Sequence, residues 1–107
     1  MALPSSGTIA AIEGRVGEKV VRVRGEVDAY SAHQLRDCLD ELVASSQRTI
    51  VVNVKDMAFI DSNGLGVLVA SVKRLRPQGR SLAIRQPSRQ TVKLLEITGL
   101  QQMVTVD

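Results

Sequence analysis

The stretch FIDSNGLGVL, residues 59–68, runs from an apolar pair through Asp-Ser-Asn-Gly into Leu-Gly-Val-Leu. The segments on its two sides obey different periods. Upstream, RTIVVNV (48–54) is short, β-branched and apolar at its centre, the profile of a mid-sheet strand covered on both faces. Downstream, Leu65, Leu68, Val69, Val72 and Leu75 recur at helical spacing, and that helix must stop before Pro77 and Gly79. KDMAFID (55–61) reads as the connection between them. Asp61 or Ser62 is then an ordinary helix cap, and Gly64 and Gly66 let the first turn pack closely on a strand.

Working outward, TIAAIEGRVGEKVVRVRGEV (8–27) holds two β-rich runs broken by Gly14 and Gly17, the pattern of a hairpin. In its second run Val21 and Val23 point inward while Arg22 and Arg24 face water. The period changes in DAYSAHQLRDCLDELVASS (28–46), where Leu35, Cys38, Leu39, Leu42 and Val43 form an amphipathic helical stripe. Ser31 with Gln34 matches a capping box, so that helix should begin near residue 32 and fray around Ser45 and Ser46. SLAI (81–84) is another strand. Pro87 and Ser88 announce a third helix with Val92, Leu94 and Leu95 toward the sheet, closed by a left-handed cap at Gly99 that lets Leu100 fold back on Leu95. MVTV (103–106) adds a last short strand. The expected architecture is α/β: one domain over residues 1–107, a loose terminus at 1–7, and a mixed four- to five-stranded sheet with helices mainly on one side.

Composition excludes several functions. The 107 residues suffice for one modest core, and with Tyr30 and Phe59 as the only aromatics that core must be aliphatic. The net charge of +3 permits nucleic-acid binding. However, the Lys and Arg residues are scattered and no aromatics interleave them to stack on bases, so no direct nucleic-acid contact is expected. A single cysteine forms no internal disulfide and no thiolate cluster, and Cys38 on the buried stripe reads as a small hydrophobe. MALPSSGT lacks the cationic start and apolar run of a signal peptide, and no apolar stretch reaches the roughly 18 residues of a membrane span. A soluble, cytoplasmic protein without membrane contact is expected.

The quoted stretch lacks the partners that catalytic chemistry needs. A serine nucleophile needs a base, and the one histidine, His33, falls in the first turn of a different predicted helix. The Gly-x-Ser-x-Gly elbow is absent because position 60 is Ile. Gly64 and Gly66 give a lone G-x-G whose third dinucleotide-binding position, 69, is Val. Asp56 and Asp61 have no evident third ligand for a metal. No enzyme activity, cofactor or metal is expected. Tyr30 and Phe59 flank the motif loops, each as either a core edge or a docking contact.

FIDSNGLGVL resembles the signature of bacterial anti-sigma factor antagonists of the STAS domain family, in which Asp-Ser-Ser/Thr-Gly-Leu-Gly opens the second helix. GEVDAYSAHQL (25–35) is similar to that family's entry into its first helix, and VKLLEITGLQQMVTV (92–106) to its closing helix and strand. The resemblance spans nearly the whole chain in the right order. It implies a partner switch: the unmodified protein binds an anti-sigma factor that is itself a serine kinase and so frees a sigma factor. The kinase phosphorylates the serine after the motif Asp, here Ser62, and a metal-dependent serine phosphatase reverses the step. Asp28, Asp61, Ser62, Asn63 and Gly64 then belong to the partner-binding surface of a monomer or weak homodimer. Asn63 stands where the family usually has Ser or Thr. The alternative within the same resemblance is a STAS subunit of a transport or stress-sensing complex, in which docking is permanent and Ser62 is structural.

Overall fold

The structure is a computed structural model describing residues 8–107; the loose terminus expected at 1–7 lies outside the described residues. Along the chain come β1 (Ala10–Glu13), β2 (Val20–Val27), α1 (Ala32–Val43), β3 (Thr49–Ile60), α2 (Ser62–Leu75), β4 (Ser81–Arg85), α3 (Arg89–Thr98) and β5 (Thr105–Val106). The strands form one sheet in sequence order, β1 antiparallel to β2 and every later pair parallel. This is the mixed sheet expected from strands separated by helices behind a hairpin. Among the described residues no helix is long and apolar enough to cross a membrane.

Strand alternation decides where the core sits. Val21, Val23, Ile50, Val52, Leu82 and Ile84 are buried together with Leu35, Leu39 and Leu42 of α1, Leu68, Val72 and Leu75 of α2, and Leu95 of α3. Arg22, Arg24, Asn53 and Arg85 occupy the alternate positions and line the opposite face. Arg22 crosses that face, 2.7 Å from Asp56 and 3.7 Å from Glu13, and its hydrogen bond holds the Asp56 carboxyl below the usual carboxylate range. One expectation fails here. β3 is central but not covered on both faces, since Val51 and Asn53 stay partly exposed on the side opposite the core.

A second departure lies in β3 itself. KDMAFI is not a connection but strand, and β3 runs 12 residues to Ile60. Its register against β2 slips twice: Arg22 pairs with Asn53 but Arg24 with Asp56, then Gly25 with Met57 but Glu26 with Phe59. Each slip leaves one extra residue in β3, a bulge that rephases the side chains. Burial therefore passes from Val54 to Met57 to Ile60 in steps of three, a spacing that hides a strand from any reading based on strict alternation.

The remaining elements follow their local signals. α2 ends at Leu75, and a short 3-10 turn through Pro77 leads to Gly79 at φ 67°. Gly99 caps α3 at φ 77°, with Leu100 buried in the same core as Leu95. Cys38 sits half-buried at the core's edge, where burial, aided by Glu41 and Asp37, pushes its thiol pKa up, consistent with a small apolar side chain rather than a thiolate.

Arg80 had no sequence signal, yet it closes the end of α1. Its guanidinium donates to the carbonyls of Leu42, Val43, Ser45 and Gln47, at 3.2, 2.7, 3.0 and 2.7 Å. Leu42 and Val43 are the last residues of α1 and Ser45 and Gln47 follow it, so the guanidinium ties the helix end to the chain beyond it, and a cation suits that end of the dipole. Arg80→Ala is expected to lower unfolding stability by about 2 kcal/mol in urea titrations, and Arg80→Lys, a point charge without the fork, to recover only part of it.

Candidate functional site

The carboxyl ends of β2 and β3 meet at one rim, where each strand passes into a helix. Asp61 N–H donates to Val27 O at 3.0 Å, carrying the ladder one residue past β3. Asp61 then turns the chain with an extended backbone, φ −100° and ψ −173°, and Leu65 N–H returns to its carbonyl at 3.0 Å. The cap is therefore Asp61 and not Ser62. Its Oδ1 accepts from Asn63 N at 2.8 Å and Gly64 N at 3.2 Å, while Oδ2 accepts from Asn63 Nδ2 at 3.2 Å.

Asp61 also faces the neighbouring loop, where the backbone N–H of Ala29 helps to hold its carboxyl below the usual carboxylate range. That loop has its own clasp. Asp28 Oδ1 accepts from Tyr30 N at 2.9 Å and Ser31 N at 3.1 Å, and Asp28 N–H donates to Ser31 Oγ at 3.0 Å. The capping box expected of Ser31 and Gln34 does not form. Ser31 Oγ donates to Glu26 O at 2.9 Å, back along the chain, and Gln34 Oε1 accepts instead from Ile9 N at 2.8 Å, pinning the approach to β1. α1 nevertheless starts at Ala32 as expected, its first N–H donating to the backbone carbonyl of Asp28 at 2.8 Å while the Asp28 carboxylate holds the two residues ahead of the helix.

Gly64 shows why α2 lies so close. A Cβ there would sit 2.5 Å from Ile60 Cγ1 and 2.7 Å from Val27 Cγ1, well inside van der Waals contact. Gly66 differs, since a Cβ would meet nothing within 4 Å. The two glycines were read alike in the sequence, and only the first is demanded by packing. Gly64→Ala should therefore destabilise the domain by about 2 kcal/mol or more through overpacking, whereas Gly66→Ala should raise stability by about 0.5–1 kcal/mol through helix propensity. Thermal and urea unfolding of the two variants side by side checks both signs.

These elements arrange the candidate residues in a definite way. Asp28 and Asp61 are half-buried within the clasp, Ser62 and Asn63 are exposed, and Gly64 is buried beneath them. Ser62 is the first residue of α2, and its hydroxyl has no hydrogen-bond partner among the described residues. The first-turn N–H groups of Asn63 and Gly64 are already taken by Asp61, so an anion on Ser62 would not find them free. His33 is exposed on α1, and among the described residues no group of three or more His, Cys, Asp or Glu side chains is placed to hold a metal.

Comparison with known proteins bears on this rim. The STAS domain model matches residues 10–107. The chain belongs to the STAS domain family. The anti-sigma-B factor antagonist of Bacillus subtilis (strain 168) is 37% identical over 86 residues, covering 80% of this chain and 78% of that protein. Among solved structures, an anti-sigma factor antagonist from Mycobacterium paratuberculosis superposes with a TM-score of 0.81 at 25% identity, covering 97% of this chain and 89% of that one. The Bacillus cell fate determinant SpoIIAA in its phosphorylated form gives 0.71 at 23% identity, covering 92% and 90%, a likeness of fold alone. In this STAS domain the motif Asp is the helix cap and the serine after it is the outward hydroxyl.

Burial pushes the Asp61 carboxyl up, but the hydrogen bonds from Asn63, Gly64 and Ala29 outweigh it and hold its pKa below the ordinary 3.8. For a carboxylate depressed in the folded state, the stabilisation is complete above the unfolded value and is lost as pH falls through the folded one. Urea midpoints measured from pH 7 down to pH 2 should fall below about pH 4. Asp61→Asn, which keeps a capping side chain but cannot titrate, should flatten that fall.

Proposed function

We propose that this STAS domain is an anti-sigma factor antagonist and that its switch is phosphorylation of Ser62. In this reading the unmodified chain binds, in the cytoplasm, an anti-sigma factor that is itself a serine kinase, and so releases a sigma factor. The observation that carries it is the Ser62 hydroxyl: exposed, unbonded, and held at the head of α2 by a clasp that leaves it nothing structural to do. The relative at 37% identity bears the antagonist name, and SpoIIAA has been solved both without and with phosphate.

The chemistry follows from that placement. The kinase moves the γ-phosphoryl group of ATP onto Ser62 Oγ, the serine proton leaving to a base on the kinase, and a serine phosphatase later hydrolyses the ester. The phosphate brings nearly two negative charges to a rim that already carries Asp61 and Asp28. Its effect falls on the partner surface formed by Asp28, Asp61, Ser62 and Asn63, with Gly64 supporting the turn from beneath. No catalytic group of the chain itself takes part.

Incubation with the source organism's anti-sigma factor serine kinases and ATP, followed by mass spectrometry, should find one phosphate, on Ser62, and Ser62→Ala should take up none. A stable complex with no phosphate under saturating ATP would instead favour a permanently docked STAS subunit. Gly66→Arg, at an exposed position one turn beyond Ser62, should weaken binding of the kinase about tenfold or more without lowering the melting temperature, because the fold leaves its Cβ direction open.

A further inference from the structure

Tyr30 and Phe59 are the only aromatic residues in the chain, and neither serves the core. Tyr30 is 90% exposed and Phe59 52%. Large aromatic side chains are the strongest apolar contributors a small domain has, and this one closes its core with aliphatic residues and leaves both outside. The second bulge of β3 is the local cause for Phe59. It inserts Ala58 between Met57 and Phe59 in the pairing with β2, so that Met57 and Ile60 stay buried while Ala58 and Phe59 turn outward.

Phe59 borders a groove of about 280 Å³ between the end of β3 and α3, lined by Ala58, Phe59, Ile60, Gln90, Thr91 and Leu94. None of these side chains is ionisable, in a chain with 14 basic and 11 acidic residues. Ile97, 72% exposed, follows Leu94 by three residues on α3 and extends the apolar surface. Isolated surface hydrophobes call for no explanation, but an uncharged groove with an aromatic wall beside a modifiable serine does. Ile60 and Asp61 join the groove directly to Ser62. On the other side, the Asp28 carboxylate holds the loop that presents Tyr30, accepting from Tyr30 N at 2.9 Å.

We propose that the groove is the second half of the kinase-binding surface: it takes an apolar side chain of the partner, with Phe59 and Tyr30 as the aromatic anchors on either side of Ser62. This rests on the reading of Ser62 as that kinase's target. An uncharged lining suits an apolar group and offers a charged one no compensation for lost water. Aromatic residues at the centre of an interface carry a disproportionate share of its affinity. The groove thereby makes binding of the unmodified chain depend on contacts outside the phosphorylated turn.

The test measures binding of the full chain to each purified anti-sigma factor serine kinase of its source organism by calorimetry, with sedimentation of the chain alone in parallel. The expected result is that Phe59→Ala weakens the complex about tenfold or more and Phe59→Leu restores most of it, with urea midpoints near wild type. Should Phe59→Ala lower stability, Ile97→Asp carries the same test from a position outside the core and should weaken binding comparably. Kinase binding unchanged in both variants overturns the groove while leaving the Ser62 reading intact. Self-association of the chain that these variants abolish, with kinase binding unchanged, assigns the groove to a second copy and overturns the proposal. A wild-type chain that binds none of the kinases removes both readings together.

Discussion

The approach of α2 to the sheet is set by a missing side chain. Gly64 lies against Val27 and Ile60 at distances no Cβ could tolerate, and that closeness places the first turn of α2 directly on the ends of β2 and β3. From there Asp61 caps α2 through Asn63 and Gly64, while Asp28 ties the adjoining β2–α1 loop through Tyr30 and Ser31. The rim is thus stiff by construction. A hydroxyl on a stiff turn is presented in one geometry, which is what recognition by another protein requires.

The same arrangement defines what a phosphate at Ser62 would meet. A helix N-terminus ordinarily welcomes an anion, but here the cap carboxylate already holds the nearest donors, and Asp28 lies in the clasp alongside. Added charge would therefore stay at the surface as a net repulsive feature toward any acidic partner group and a poor fit for an apolar one. The core, built from Val21, Val23, Ile50, Leu39, Leu75 and their neighbours, does not include the exposed Ser62.

Much of this was legible in the residues themselves. Periods of two and of about 3.6 located the hairpin, the three helices and the parallel sheet, and the punctuation at Pro77, Gly79 and Gly99 located their ends. What the pattern concealed was non-local. The bulges make MAFI look like a connection because Met57 and Ile60 are spaced by three. Arg80 pairs with carbonyls 33 to 38 residues away, and no local signal announces such a partner. Ser31 and Gln34 match a capping box by spacing, yet each is claimed by a group outside the box, Glu26 O and Ile9 N. At the site, the motif named Asp61 and Ser62 but could not say which was the cap; the direction of one carboxylate decides it.

The central claim is that Ser62 controls partner binding through surface charge and not through the fold. The most direct measurement is the affinity of the purified kinase for the unmodified chain and for the chain carrying phosphoserine at 62, with the urea midpoint of each. The account predicts a loss of about a hundredfold or more in affinity, near 3 kcal/mol, at an unchanged midpoint. Equal affinities, or a loss of affinity that appears only together with a fall in the midpoint, would contradict it.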